Sequence, residues 1–136
     1  MQNVALISPS GLSGAERPSR LPSSVNMVAA IKAAQARAPG MTLTQLVIFL
    51  TVASEEGIRL NDLGARINES QATVSRSVSA LTEGGLRGSP RAGYGLLILL
   101  RDRDDGRGRR AALSESGRRL LTWIDATMQG RWGTSG

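Results

Sequence analysis

The chain has 136 residues and a formal net charge of +6, from 17 basic and 11 acidic side chains. One ordinary domain accounts for this length, and a positive field of this size attracts polyanions such as nucleic acid. The absence of cysteine and histidine excludes disulfides, thiolate nucleophiles, imidazole bases and the commonest zinc ligands. Because the carboxylates are scattered along the chain, we expect neither an enzyme nor a bound metal or cofactor.

The two ends of the chain differ in composition from its middle. Residues 1–24 combine prolines, glycines and serines and cannot bury enough apolar area to offset the entropy of ordering. We expect a flexible N-terminal arm over 1–24, a folded domain over 25–128 and a C-terminal tail over 129–136. The apolar runs Val4–Ile7 and Leu96–Leu100 are too short to cross a bilayer. A cytoplasmic protein with no membrane partner is therefore expected.

Two helices are predicted at the start of the domain. Apolar residues recur at helical spacing over Val25–Ala38, and Pro39–Gly40 ends the pattern. Thr42 is followed three residues later by Gln45, which is the spacing of a capping box. Apolar residues surround most of the helix that begins there, so this second helix is predicted to be the buried centre of the domain.

A compact helix, a tight turn and another helix follow. The segment Ile58–Leu60 is predicted to form a short strand, and Asn61 is predicted to cap a helix that ends at Ile67. Ser70 is predicted to cap the next helix, which runs from Gln71 to about Glu83. This order, with these lengths, is typical of a helix-turn-helix.

A β-hairpin and a last helix complete the predicted domain. Strands are predicted for Leu96–Arg101 and Arg109–Leu113, with a turn at Asp105–Gly106. Ser114 is predicted to cap a final helix over Glu115–Met128. The fold class that follows is mainly α with a small β-hairpin (α+β), namely a winged helix-turn-helix flanked by N- and C-terminal helices.

The second helix of the helix-turn-helix has a polar face, which is predicted to enter the major groove of double-stranded DNA. The side chains predicted to contact base edges are Gln71, Thr73 and Arg76. The side chains predicted to contact the DNA backbone, directly or through water, are Ser70, Ser75 and Ser79. Plain helix surface is the alternative interpretation of each serine.

The hairpin is rich in arginine and is predicted to be a DNA-binding wing. Its basic side chains predicted to contact DNA are Arg101, Arg103, Arg107, Arg109 and Arg110. Arg107, just past the turn, is predicted to insert into the minor groove, where negative potential is concentrated. Asp105 is predicted to pair with a nearby arginine and stabilise the wing. A solvated hairpin of mixed charge is the alternative.

Three segments occur in this order along the chain: TLTQLVIFLTVA, LNDLGARINESQATVSRSVSALTE and RDRDDGRGRRAALSESGRRLL. Together they resemble the DNA-binding domain of MarR-type transcriptional regulators. The residues that match the family's recognition-helix start are Ser70, Thr73, Val74, Ser75 and Arg76. Those that match its wing tip and the start of the following helix are Asp105, Arg107, Gly108, Leu113, Ser114 and Gly117. The chain departs from the family in a longer loop, Gly84–Gly95, and in Arg109–Arg110, which replace apolar strand residues.

The resemblance implies a homodimer that binds pseudo-palindromic DNA, with terminal helices of both subunits at the interface. The residues assigned to that interface are Val28, Ile31, Leu120 and Ile124, which would equally close the core of a monomer. The predicted function is a sequence-specific DNA-binding transcriptional regulator, and no residues identify a small-molecule effector. Two alternatives stay open: a winged-helix module that binds another protein, and a non-specific DNA-binding accessory protein.

Overall fold

The helices and strands follow the predicted order. The computed structural model describes residues 16–85, 92–103 and 108–130, with side chains from residue 24 onward. Its elements are α1 (Glu16–Arg37), α2 (Leu43–Ser54), β1 (Ile58–Arg59), α3 (Leu60–Ile67), α4 (Gln71–Leu81), β2 (Leu97–Arg101), β3 (Arg109–Leu113) and α5 (Glu115–Met128). They form the predicted mainly α domain with a small sheet.

The start of the first helix differs from the predicted one. α1 begins at Glu16 rather than at Val25, so residues 16–24, which the sequence pattern assigned to a flexible arm, are helical. Pro18 lies in the first turn of α1, where a missing N–H costs little because the first N–H groups of a helix have no acceptor within it. Residues 1–15 and 131–136 lie outside the described residues.

The core is formed by one face of each helix and by the inner face of the sheet. α2 contributes Ile48, Phe49 and Val52, each fully buried. The prediction that α2 is the buried centre holds only for this face, because its other apolar residues, Leu43, Val47 and Leu50, are exposed. α1 packs along α5 through small side chains, and its buried residues are Ala30, Ala34 and Ala38. Alanines at this face let the two helix backbones approach closely, which is how a chain of this size joins its terminal helices to one core.

The strands form one antiparallel sheet in the order β1-β3-β2. In the hairpin, Leu97 lies opposite Leu113 and Arg101 lies opposite Arg109. β1 adds only two residues, Ile58 and Arg59, along the other edge of β3. The pairing of β2 with β3 is therefore continuous, without a bulge, from the Leu97–Leu113 pair to the Arg101–Arg109 pair.

Side-chain caps fix most helix starts at the predicted residues. Thr42 and Gln45 form the predicted capping box of α2, with both hydrogen bonds at 3.0 Å. Ser70 and Ser114 cap α4 and α5, as predicted. The prediction that Asn61 caps α3 is wrong, because α3 begins at Leu60 directly after β1 and places Asn61 inside its first turn. The residue at the cap position, Arg59, makes no capping hydrogen bond.

Two absences hold for the residues that the structure describes. None of the helices formed by these residues is both long enough and apolar enough to span a membrane. Within the same residues, no group of three or more acidic side chains is placed to hold a metal ion.

Candidate nucleic-acid interface

The helix-turn-helix is built by α3 and α4 and depends on a close approach between them. Asn68 ends α3 in the left-handed conformation, with φ 60°, which asparagine tolerates better than most residues. The Glu69 N–H then donates to the Gly64 carbonyl at 3.0 Å. A Cβ at Gly64 would lie 3.0 Å from the Glu69 carbonyl oxygen and 2.5 Å from the Gln71 amide nitrogen. A small residue is therefore favoured at position 64, where the two helices approach closely.

The first residues of α4 are engaged in capping and in contacts with α3. The Ser70 hydroxyl accepts the Thr73 N–H and donates to the Thr73 hydroxyl, both at 3.1 Å. The Gln71 amide donates to the Asn61 carbonyl at 3.4 Å, so its side chain folds back over α3. The side chains of Gln71 and Thr73, which are predicted to contact bases, therefore already have hydrogen-bond partners within the protein.

The outward face of α4 carries small side chains around one long cation. Val74, Val78 and Leu81 are buried, which seats α4 on the core by a narrow apolar ridge, as the spacing predicts. The side chains on the opposite face are Ala72, Ser75, Arg76 and Ser79, of which only Ser79 is partly buried. Ala72 was not among the predicted site residues, because its apolar side chain gave no sign of facing solvent.

The C-terminal end of α4 is tied to the hairpin. The Leu96 N–H donates to the Leu81 carbonyl at 2.7 Å, and the Tyr94 N–H donates to the Ala80 carbonyl at 3.0 Å. Thr82 also forms a parallel bridge with Leu97, the first residue of β2. These bonds hold α4 and the start of the hairpin as one unit.

The hairpin presents three exposed arginines within the described residues. Arg101 and Arg109 face each other across the two strands, and Arg103 follows at the outer end. Like charges directly opposite on neighbouring strands repel each other, and an anion placed between them relieves that repulsion. Arg107 and Asp105, which are also predicted to lie in the wing, are outside the described residues.

Arg110, the fifth predicted wing arginine, makes contacts inside the protein. Its guanidinium donates to the Gly57 carbonyl at 2.8 Å and lies 3.4 Å from the carboxylate of Asp102. Asp102 is only 1% exposed and also pairs with Arg59 at 2.7 Å. The arginine in an apolar strand position is thus explained by a buried carboxylate, to which the sequence alone assigned no role.

A second carboxylate, Glu56, connects the wing to α5. It accepts the Leu113 N–H at 2.9 Å and a bidentate pair of hydrogen bonds from Arg118, both also at 2.9 Å. The bond from the Leu113 backbone is the largest cause of a pKa below the ordinary 4.5 for this group, and the Arg118 guanidinium lowers the pKa further. Nothing in the sequence around Glu56 indicates this role, because its partners lie far away in the chain.

The residues assigned to a dimer interface fall into two groups. Val28 is 61% exposed and Ile31 is partly buried, both on α1. Leu120 and Ile124 are buried in the protein's own core. Other large apolar side chains are exposed on these two helices, namely Val25, Met27, Trp123 and Met128.

The helix-turn-helix, the hairpin beside it and the short β1 strand together define a winged-helix domain. No protein-family model matches the chain, and no curated protein matches it in sequence. Solved structures do match its fold.

A transcriptional regulator from Thermotoga maritima is 19% identical and superposes with a TM-score of 0.64 over 85% of this chain and 72% of that one. A MarR transcriptional regulator from Methanosarcina mazei Go1, also 19% identical, gives a TM-score of 0.58 over 87% of this chain and 76% of that one. The structure of reduced AbfR bound to DNA is 20% identical in sequence and gives a TM-score of 0.56 over 85% of this chain and 74% of that one. The chain therefore has the winged-helix fold of MarR-type regulators, as its sequence resemblance predicts.

Proposed function

We propose that this protein is a sequence-specific transcriptional regulator that binds double-stranded DNA as a homodimer. The observation that carries the proposal is the exposed polar face of α4, which is joined at its C-terminal end to a hairpin with exposed arginines. The fold supports it, because the similar structures are transcriptional regulators and AbfR was solved bound to DNA. The same similarity supports a non-enzymatic protein, and we propose that it acts in the cytoplasm.

The outward face of α4 suits the major groove. Its small residues Ala72, Ser75 and Ser79 allow the helix backbone to approach the base edges, and a methyl such as that of Ala72 packs against thymine. Arg76 is the long side chain on this face and makes no ion pair with another described residue. A guanidinium of this kind holds a guanine edge by two hydrogen bonds. We assign Arg76 the main base contact, with Gln71 and Thr73 as further readers.

The N-terminus of α4 and the wing supply the backbone contacts. The hydroxyls of Ser70, Ser75 and Ser79 and the free N–H groups of the first turn suit phosphate oxygens. In the wing, the exposed side chains of Arg101, Arg103 and Arg109 suit phosphates or a narrow minor groove. Arg107 keeps its assignment to the minor groove. Arg110 contributes through its contacts within the sheet.

A homodimer is proposed because two recognition helices must lie about one DNA turn apart to reach successive major grooves. The exposed apolar side chains of α1 and α5 supply a surface for it. Val28 and Ile31 would lie in that interface directly, while Leu120 and Ile124 support the two helices from beneath.

The experiment is a titration of labelled duplex DNA, followed by fluorescence anisotropy at several salt concentrations. We expect affinity to fall steeply with salt, and Arg76→Ala to weaken binding about tenfold or more, since one good bidentate base contact is worth about 1–3 kcal/mol. A variant with Arg101, Arg103 and Arg109 all changed to Ala is expected to lose affinity for every sequence and to flatten the salt dependence.

The matched control is Arg119→Ala, which removes the same charge from exposed α5. It is expected to change affinity little. If all these variants bind like the wild type, or if Arg119→Ala weakens binding as much as Arg76→Ala, the α4 face is not the DNA-binding surface. A DNA affinity that is unchanged by the substitutions in α4 and in the wing would favour the protein-binding alternative.

A further inference from the structure

Asp102 is a buried acid at the outer end of a basic hairpin. Its side chain is 1% exposed, although its two chain neighbours, Arg101 and Arg103, are exposed. Burying a carboxylate is costly unless positive groups and hydrogen bonds compensate for the lost hydration. Its position therefore calls for a specific role in the hairpin.

The partners of Asp102 come from the other two strands of the sheet. Its carboxylate lies 2.7 Å from Arg59 Nε on β1 and 3.4 Å from Arg110 Nε on β3. Arg59 and Arg110 are themselves direct cross-strand neighbours, a placement in which like charges repel. The carboxylate reduces the repulsion within that pair and links β1, β3 and the end of β2 on one face of the sheet.

The backbone of Asp102 also continues the hairpin beyond its two strands. Its N–H donates to the Gly108 carbonyl at 2.9 Å, one step further out than the Arg101–Arg109 pair. Successive side chains of an extended strand point to opposite faces. Asp102 contacts Arg110 and Arg101 pairs with Arg109, so the side chains of Asp102 and Arg101 lie on opposite faces of the hairpin. Arg101 is exposed on its face, and Arg103 is exposed in the bend that follows.

We propose that Asp102 is a positioning residue for DNA binding: it fixes the outer end of the wing so that Arg101, Arg103 and Arg109 meet phosphates together. This inference rests on the proposed function of the protein. Asp102 itself does not touch DNA in this account. Its contribution is made through Arg59, Arg110 and the backbone bond to Gly108.

The proposal and simple electrostatics predict opposite effects for Asp102→Asn. Removing a negative charge from a DNA-binding surface strengthens binding and steepens its salt dependence when charge alone matters. Loss of the positioning contact weakens binding instead, because the wing arginines no longer act together. The matched control is Asp125→Asn, which makes the same chemical change at an exposed position on α5.

The experiment measures DNA affinity of the full chain against salt for the wild type and both variants. We expect Asp102→Asn to bind about tenfold more weakly, with a log–log salt slope smaller in magnitude by about 2, the change expected when about two phosphate contacts are lost. Asp125→Asn is expected to bind as well as the wild type or slightly better. An Asp102→Asn protein that binds as tightly as Asp125→Asn would overturn the proposal.

A second variant addresses the case in which Asp102→Asn fails to fold. Arg59→Gln removes one partner of the carboxylate, and Arg119→Gln removes the same charge elsewhere. We expect Arg59→Gln to weaken DNA binding several-fold more than Arg119→Gln. Where Asp102→Asn folds, the effects of Arg59→Gln and Asp102→Asn should be non-additive, since both break one contact. Equal effects of the two arginine variants would overturn the proposal.

Hydrogen exchange in the absence of DNA separates this inference from the proposed function. The amide of Asp102, which donates to the Gly108 carbonyl, should exchange at least about tenfold faster in Asp102→Asn, while core amides of α2 keep their protection. If the wild-type protein showed no salt-dependent affinity for DNA, the proposed function would be refuted. The hydrogen exchange of the wing amides would then decide by itself whether Asp102 fixes the wing. Unchanged wing exchange in the variant would overturn the proposal.

Discussion

Glu56 and Arg118 form a bidentate ion pair, with both nitrogen–oxygen distances at 2.9 Å. Glu56 lies in the turn between α2 and β1, and Arg118 lies in the first turns of α5. Because Glu56 also accepts the N–H of Leu113, this one carboxylate joins the central helix, the last residue of the wing and the terminal helix. Glu56 and its partners lie between the proposed DNA-binding surface and the proposed dimer surface.

Glu56→Gln is expected to destabilise the protein at neutral pH and to have less effect in acid. The pKa of Glu56 is lowered in the folded state, chiefly by the Leu113 bond and then by Arg118. Its stabilising contribution is therefore complete above the ordinary pKa and is lost as pH falls through the folded value. Urea unfolding at pH 7, 5, 4 and 3 should show the gap between wild type and variant closing below about pH 4.5.

The control for this prediction is Glu115→Gln, which breaks an exposed pair with Arg119 on one helix surface. It should leave the unfolding midpoint nearly unchanged at every pH, since such pairs contribute little. A gap between wild type and Glu56→Gln that stays constant from pH 7 to pH 3 would contradict the assigned role of the carboxylate.

Gly117→Ala is expected to destabilise the fold by about 1–3 kcal/mol, although alanine favours helix over glycine. A Cβ at this position in α5 would lie 2.2 Å from the Leu96 carbonyl oxygen, which belongs to the backbone and cannot rotate away. Gly84→Ala is the matched control, since nothing lies within 4 Å of its Cβ position. Denaturant unfolding measures both, and equal stability of the two variants would show that α5 can move away from β2.

Ser70 should separate folding from DNA binding. Ser70→Ala removes the α4 cap and is expected to cost about 1 kcal/mol of stability. Ser70→Asp keeps a cap and favours the helix N-terminus, so its stability should match the wild type. Its carboxylate would repel a phosphate, so its DNA affinity should fall about tenfold or more. Urea unfolding and anisotropy check the two effects, and an Asp variant that binds DNA normally would exclude this helix end from the interface.

Val28→Asp is expected to weaken the dimer by at least about tenfold, because it would bury a charge in an apolar interface. Leu43→Asp is the control, since Leu43 on α2 is 74% exposed and is therefore even more exposed than Val28. Sedimentation equilibrium at micromolar concentrations reports both. Wild-type protein that is monomeric with and without DNA would contradict the dimer, and dissociation by Leu43→Asp alone would place the interface on α2.

The parts of the fold that could be predicted depend on contacts close in sequence. A capping residue and its partner lie three positions apart, so Thr42, Ser70 and Ser114 identify helix starts correctly. The hairpin strands follow from the apolar run Leu96–Leu100 and from the turn signal at Asp105–Gly106. The start of α1 was missed because proline and serine composition says little about a helix that is stabilised by packing its later turns on α5.

The site was predicted less completely, because its polar contacts join distant segments. Nothing near Asp102 in sequence indicates that Arg59, on another strand, pairs with it. The same is true of Gln71, whose amide turns back to the Asn61 carbonyl. Residue type and helical spacing identified the exposed face around Arg76, but only the folded arrangement shows which polar groups already have partners.

Selection of binding sites from random duplex DNA tests the central claim most directly. The account predicts that the wild type enriches a pseudo-palindromic site whose half-sites lie about one helical turn, 10–10.5 base pairs, apart. It also predicts a guanine in each half-site whose enrichment is lost in Arg76→Ala while the rest of the site remains. Failure of the wild-type protein to enrich any common sequence would contradict sequence-specific recognition by the exposed face of α4.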